Sequence, residues 1–255
     1  MEAQQTKQAP VALITGASRG IGRAIAKAFA LAGYQTVIHY HRRQDQALTL
    51  QAELEQAGVP ADRLLLVQAD VASAAEVEAM LAAVFARFGK VDVLVNNAGI
   101  AGQNLFTGLT EAEWDHIFAV NVKGVFLCSK GVLPGMISRK SGQIINIASI
   151  WGMVGASCEV DYSASKGAVI AMTKALAKEV GPSGVRVNCI APGVIATEMN
   201  AGLSPADLAA LQDATPLETI GTPEDIAALA LFLASPGGRF ITGQVISPNG
   251  GFVIT

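Results

Sequence analysis

The sequence predicts an α/β protein with one parallel sheet and helices packed on both of its faces. Three observations carry this. Short apolar, β-branched runs alternate with longer stretches of helical periodicity along the whole chain. A glycine-rich turn joins the first such run to the first helical stretch. Hydrophobic residues make up 51% of the 255 residues and charged ones 15%, which allows a large core and argues against disorder.

A polar tail, 1–9, precedes the first run, and 10–255 reads as one domain with no shift in composition, no internal repeat and no low-complexity tract. The strand-like runs are "VALIT" (11–15), "TVIHY" (36–40), "LLLVQ" (64–68), "VDVLV" (91–95), "QIINIA" (143–148), "VRVNCI" (185–190) and "QVIS" (244–247). Helical patterns fall between them near 20–32, 44–57, 73–88, 111–138, 161–180 and 223–234. The stretch 191–222 holds no strand, several Pro and Gly, and a short helical pattern near 205–212. A long strandless segment in a compact domain reads as a lid.

Composition excludes several classes of function. A net charge of −3 gives no electrostatic case for nucleic acid or an anionic membrane. Cys128, Cys158 and Cys189 are scattered, without metal-ligand spacing or a disulfide framework, which points to a reducing compartment and no metal. The N-terminus lacks an apolar signal core, and no apolar run approaches the ~18 residues of a membrane span. The expectation is a soluble, cytoplasmic protein.

In "TGASRGIG" glycines stand at Gly16, Gly20 and Gly22, between a strand and a helix. Glycine lets the backbone turn sharply and come close to a pyrophosphate, and the helix N-terminus offers free N–H groups. The spacing is not the common G-x-G-x-x-G, and a turn with no ligand is the alternative. The second strand ends in "HYHRR" (39–43), with no acid to bind a ribose 2′-hydroxyl. Arg42 and Arg43 suit a 2′-phosphate, with Arg19 approaching from the glycine turn and Tyr40 packing on the adenine ribose. This favours NADP; solvated arginines at a helix start are the alternative.

In "CEVDYSASKGAV" (158–169), Tyr162 and Lys166 lie four apart, on one face of a helix. Free tyrosine has a pKa of ~10, and a fixed ammonium lowers it. A drop of roughly 3 units corresponds to about 4 kcal/mol and brings a phenol near working pH. The small residues between the two would keep that helix face clear. Packing plus a solvated charge is the alternative for the pair alone.

With "TGASRGIG", "NNAG" (96–99), Asn121 in "VNVKG", Ser149 after the fifth strand, "YSASK", "PGVIATEM" (192–199) and "GQVISPNGG", the chain resembles the short-chain dehydrogenase/reductase family over 10–255. Within it the likeness is greatest to 3-oxoacyl-[acyl-carrier-protein] reductases. The resemblance implies a single-domain Rossmann fold with a seven-stranded parallel sheet, a homotetramer, and NADPH as cofactor. It implies catalytic roles for Tyr162 as acid/base, Lys166 as its partner, Ser149 on the substrate carbonyl and Asn121 in a water-linked proton relay. It implies cofactor contacts at Gly16, Ser18, Arg19, Gly20, Ile21 and Gly22, at Tyr40 and Arg42, and at Asp70 and Val71 around the adenine. Further contacts are implied at Asn97, Ala98 and Gly99, at Tyr162 and Lys166, and at Pro192, Gly193, Val194 and Thr197 near the nicotinamide.

The substrate pocket is expected between 149–161, with Trp151, Met153, Val154, Cys158, Glu159 and Asp161, and the lid, with Met199, Leu203, Leu208 and Leu211. An acidic carrier protein requires basic residues at the mouth, and Arg139 and Lys140 are expected there. The family's second basic position reads Ser183. The stretch "SIWGMVGASCEV" also resembles a branch that reduces a 5-aminopentanone group carried on elongation factor P, where Glu159 or Asp161 would receive an ammonium. A general ketone reductase, an oxidative dehydrogenase and a non-catalytic nucleotide sensor complete the alternatives.

Overall fold

The structure is a computed structural model that describes residues 9–198 and 204–254. Seven strands form one parallel sheet: β1 (Val11–Ile14), β2 (Gln35–Tyr40), β3 (Leu64–Gln68), β4 (Val93–Asn96), β5 (Gly142–Ile147), β6 (Val185–Ile190) and β7 (Val245–Ile246). Their order across the sheet is β3-β2-β1-β4-β5-β6-β7. The chain winds outward one way from β1 to β3, then returns to the far side of β1 at β4. That reversal opens a crevice over the carboxyl ends of β1 and β4.

The strands alternate their side chains between two cores. Ala12, Ile14 and Ile38 face α1 (Gly20–Leu31), α2 (Gln44–Gln56) and α9 (Pro223–Ala234). Leu13, Val37, Leu94 and Val187 face α3 (Ala74–Phe88), α5 (Gly124–Arg139) and α7 (Val160–Val180). Burial on both faces explains why these strands read as continuous apolar runs. Phe29 of α1 is fully buried in the first core; truncation to Ala would cost about 3–5 kcal/mol.

The helical pattern expected near 111–138 is a continuous run of 29 residues, Glu111–Arg139. It comprises α4 (Glu111–Phe118), a widened π-helical turn at Ala119–Lys123, and α5. By length and composition alone this run could cross a bilayer, against the expectation that none could. Its Cys128, Val132 and Met136 instead pack into the core against Leu94 and Ile144. A short helix, α6 (Trp151–Val154), follows β5, and α8 (Pro205–Asp213) lies in the expected lid. Met199 and Leu203, assigned to that lid, and residues 1–8 of the tail lie outside the described residues.

Candidate active site

The glycine turn follows β1 at the crevice. Gly16 and Gly20 have φ of 65° and 53°, the left-handed region that glycine takes without strain. A Cβ on Gly22 would strike the Gly16 carbonyl and the Asn97 amide, so the turn and α1 close on each other only through glycine. α1 begins with no acid in its first turn and no side chain capping it. Its N–H groups are therefore free for an anion. Glycines at positive φ before an uncapped helix end make a cradle that fits a dinucleotide pyrophosphate. Ser18 is buried beside it, Ile21 is half-buried, and Thr197 approaches from across the crevice, 3.6 Å from where a Gly20 Cβ would stand.

Asn97 turns out to hold this turn. Its Nδ2 donates to the carbonyls of Thr15 (2.9 Å) and Gly16 (3.1 Å), while the N–H groups of Asn97 and Ala98 donate to Thr15 Oγ1. The sequence reading set Asn97 along the cofactor; the structure gives its amide to the protein itself. Asp70 closes a turn by accepting from the Ala72 N–H at 2.9 Å, and Val71 is buried next to Gly124. Pro192 accepts from the Ile150 N–H, Gly193 lies against Asn249, and the Val194 carbonyl accepts from the Gly221 N–H. This brings the segment after β6 beside the loop after β5.

Two residues expected at the adenosine end have partners within the protein itself. Tyr40 was to pack on the ribose, but as the last residue of β2 it turns into the first core and is only 6% exposed. Arg19, expected near the 2′-phosphate, has its Nη1 paired with Glu198 Oε2 at 2.9 Å across the crevice. Both partners are about half exposed (49% and 53%), so this contact is weak and exchangeable. Arg42 and Arg43 are exposed at the start of α2. A cation there opposes the helix dipole, which makes an anionic ligand the favourable partner.

The opposite wall carries the residues expected to react. Ser149 ends the β5 segment, and Tyr162 and Lys166 rise from α7, all nearly buried (8%, 9% and 4% exposed). Lys166 Nζ donates to the Ile147 carbonyl at 2.9 Å and stands 5.6 Å from the Tyr162 ring centroid. Gly99 admits this close approach: a Cβ there would lie 3.3 Å from Lys166 Nζ and 3.2 Å from Asn121 Oδ1. Gly152 of α6 likewise packs on the Lys166 backbone.

Within the protein alone, burial dominates the electrostatics of this wall. Burial pushes the Tyr162 phenol up to about 12; hydrogen bonding by Ser149 opposes this, and Glu159 adds to it. Burial lowers the Lys166 ammonium to about 8. For both groups burial is the largest cause of the shift. Cys189 acts on Lys166 electrostatically, but burial pushes its own thiol up to about 12 and keeps it neutral. At neutral pH the site holds a protonated phenol beside an ammonium that titrates close to working pH.

Asn121 sits in the widened turn and is fully buried. Its Oδ1 accepts from the Ile100 N–H (2.8 Å), and its Nδ2 donates to the Ile100 carbonyl (2.9 Å) and to Ser165 Oγ (3.0 Å). The side chain thus ties the segment after "NNAG" to α7. The small residues between Tyr162 and Lys166 serve as ties too. Ser165 Oγ donates to the Tyr162 carbonyl at 2.7 Å, and Ser163 Oγ accepts from the Ala156 N–H at 3.1 Å. Sequence reasoning missed Thr15, Ser165 and Ile147. A serine inside a helix next to the Tyr–Lys pair was the one visible signal.

On the substrate side, Trp151 meets Phe252 edge to face with centroids 5.8 Å apart, so the C-terminal segment joins the wall. Leu208 and Leu211 of α8 are half-buried, Met153 packs on a small third core, and Val154 is exposed. Asp161 Oδ1 accepts from the Tyr162 N–H at 2.8 Å, and burial with repulsion from Asp161 raises the Glu159 carboxyl. Arg139 and Lys140 are not at this mouth. They end α5 just before β5 begins, at the amino edge of the sheet, where Arg139 Nη2 donates to the Val91 carbonyl at 2.8 Å. β5 has six residues, which puts about 20 Å of strand between them and Ser149. Ser183 lies at that same far edge, and Gly184 packs on the Lys140 carbonyl.

Comparison with known proteins agrees with this architecture. Residues 16–253 match a family profile described as Enoyl-(Acyl carrier protein) reductase. The chain is 43% identical over 240 residues to 3-oxoacyl-[acyl-carrier-protein] reductase FabG of Staphylococcus epidermidis, covering 94% of this chain and 97% of that one. It is 42% identical to 3-oxoacyl-[acyl-carrier-protein] reductase of Synechocystis (96% and 98%). It is 38% identical to the uncharacterized oxidoreductase YmfI of Bacillus subtilis (94% and 98%). A crystal structure of a putative gluconate dehydrogenase from Agrobacterium tumefaciens superposes with a TM-score of 0.90 at 31% identity, each chain covered to 95%. The cradle, the Tyr162–Lys166–Ser149 wall and these likenesses coincide: the chain belongs to the short-chain dehydrogenase/reductase family and is an oxidoreductase acting on CH–OH/C=O groups.

Proposed function

We propose that the protein is a soluble, cytoplasmic, NADPH-dependent ketoreductase of the 3-oxoacyl-[acyl-carrier-protein] reductase kind. The observation that carries the reading is the buried Tyr162–Lys166 pair beside Ser149, facing the glycine cradle. A nicotinamide cofactor held by the glycine cradle would supply the hydride. Ser149 holds and polarises the substrate carbonyl. Tyr162 gives its proton to the oxygen that gains charge; with the phenol pushed up to about 12, the protonated form that reduction consumes is the one present. Lys166 keeps a positive charge beside the Tyr162 ring below about pH 8. Arg42 and Arg43, with no acid among 39–43, support NADPH over NADH. Exposed Phe126 of α5 and Phe240 (47% and 99% exposed) support assembly into a homotetramer.

A second reading has its own observation. Glu159 and the nearly buried Asp161 flank Tyr162, while Arg139 and Lys140 lie at the far edge of the sheet. Acid beside the site suits a ketone that bears an ammonium, such as a lysine-borne amino ketone on elongation factor P, better than an acidic carrier. The test compares kcat/KM, with NADPH and with NADH, for a 3-oxoacyl thioester on its carrier, a free ketone, and an amine-bearing ketone. NADPH preference with the carried thioester fastest supports the first reading. Selective loss on the amine-bearing ketone in Glu159→Gln supports the second. Equal rates on all three leave a general ketone reductase, and an NADH preference contradicts the cofactor assignment.

A further inference from the structure

The buried imidazole of His39 has no part in the chemistry described so far. It is 1% exposed, on the strand position just before the one the sequence reading chose. Its Nδ1 accepts the Gly16 N–H at 3.0 Å, and its Nε2 lies 2.9 Å from the Ala69 carbonyl. A backbone N–H can only donate and a carbonyl can only accept. One tautomer satisfies both: Nδ1 bare and Nε2 carrying the proton. The backbone of the same strand end repeats the pattern. The Ala17 N–H donates to the His39 carbonyl (2.8 Å), and the Ala69 N–H donates to the Tyr40 carbonyl (3.1 Å). A rigid ring therefore spaces the first glycine of the phosphate cradle from the segment that leads into Asp70 and Val71.

We infer that His39 is a positioning residue for the nucleotide, setting the phosphate turn and the adenine-side loop at a fixed separation through one neutral imidazole. The inference rests on the cofactor reading above. Three features direct it to the ligand and not to packing alone. The bond falls on Gly16, whose positive φ forms the cradle. The other ring nitrogen falls one residue before the adenine-side pair Asp70–Val71. The ring also holds its neutral form, since burial lowers its pKa to about 4. Among the charged groups facing it, His41 adds to that lowering and Asp70 opposes it; both are smaller effects than burial. A protonated ring would set a second N–H against Gly16 and break the link.

The test is cofactor binding, read by quenching or enhancement of nicotinamide fluorescence, with turnover measured separately. His39→Leu replaces the imidazole with an apolar side chain that fills part of its space and leaves the Gly16 N–H and the Ala69 carbonyl without the ring as partner. It should raise the NADPH Kd at least about tenfold, while kcat at saturating NADPH stays within about twofold. His39→Gln, which can both accept and donate, should recover most of the affinity. A folded His39→Leu that binds NADPH like wild type would overturn the inference and leave the cofactor reading standing. A wild-type protein that binds neither NADPH nor NADH would overturn both. A second measurement needs no variant. Proton–nitrogen correlations of wild type should show His39 as the Nε2–H tautomer from neutral pH to about pH 5. The ring and Gly16 amide signals should both shift on adding NADPH or 2′,5′-ADP. The opposite tautomer, or signals that neither ligand moves, would also overturn the proposal.

Discussion

Around the glycine turn, Thr15, His39 and Asn97 lash β1 to β2 and β4 through buried and part-buried hydrogen bonds, and Asn121 and Ser165 extend the lashing to α7. Across the crevice the wall is of another kind. Val154 is exposed, Cys158 and Glu218 sit at positive φ, and α8 offers the half-buried Leu208 and Leu211. The first region has one geometry and tolerates little change. The second leaves more of its side chains exposed and so has room for different ones, which is where a family with one chemistry can change its substrates.

The largest effect should come from the reactive wall itself. Tyr162→Phe removes only the hydroxyl and should lower kcat by about 10²–10⁴, with NADPH still bound; steady-state rates with a parallel binding titration check this. Near-normal ketone reduction by that variant would remove Tyr162 from the mechanism.

The next prediction sets the two regions against each other. Gly22→Ala forces a methyl group onto the Gly16 carbonyl and the Asn97 amide. It should destabilise the fold by about 1–3 kcal/mol and weaken NADPH binding. Leu208→Ala on α8 should cost under ~1 kcal/mol, since the side chain is only half-buried, and should change KM for a long acyl ketone more than for a short one. Denaturant melts and the two KM values test the contrast. Equal destabilisation by both variants would erase the distinction between the regions.

A pH dependence follows from each side of the nucleotide cleft. Lys166 is lowered to about 8, so its charge is present below that pH and lost above it. The kcat/KM for reduction should fall on the alkaline side with an apparent pKa near 8. His39 goes from 6.5 unfolded to about 4 folded, so the folded state binds fewer protons between those values. Its contribution to stability is complete above 6.5 and is lost as pH falls toward 4, at most ~3 kcal/mol. Melts of wild type and His39→Gln across that window should converge on acidification. Parallel curves would assign the acid loss elsewhere.

The strands, the glycine cradle and the Tyr–Lys pair were legible in the sequence because each rests on local rules: buried runs, positive-φ turns, one helix face. What was misread depended on where distant segments meet. Tyr40 and His39 are neighbours on one strand, and only the pleat decides which turns into the core and which meets Gly16. Arg139 and Lys140 read as a basic pair near a pocket, yet their distance from Ser149 is the length of β5. Asn97 and Asn121 were found as site residues, but their partners, Thr15 and Ile100, lie 82 and 21 positions away. The lowered phenol pKa expected for Tyr162 invoked a cation beside an oxidised nicotinamide; from the protein's own groups alone, burial raises it instead.

The central claim is that this wall reduces a ketone with a hydride from NADPH and a proton from Tyr162. A single-turnover reaction with NADPH deuterated on the transferable face of C4 tests it most directly, using a 3-oxoacyl thioester and analysing the product by mass. The account predicts one deuterium on the new carbinol carbon and its near absence from the same reaction with Tyr162→Phe. Product without deuterium, or equal labelling by wild type and variant over the same interval, would contradict it.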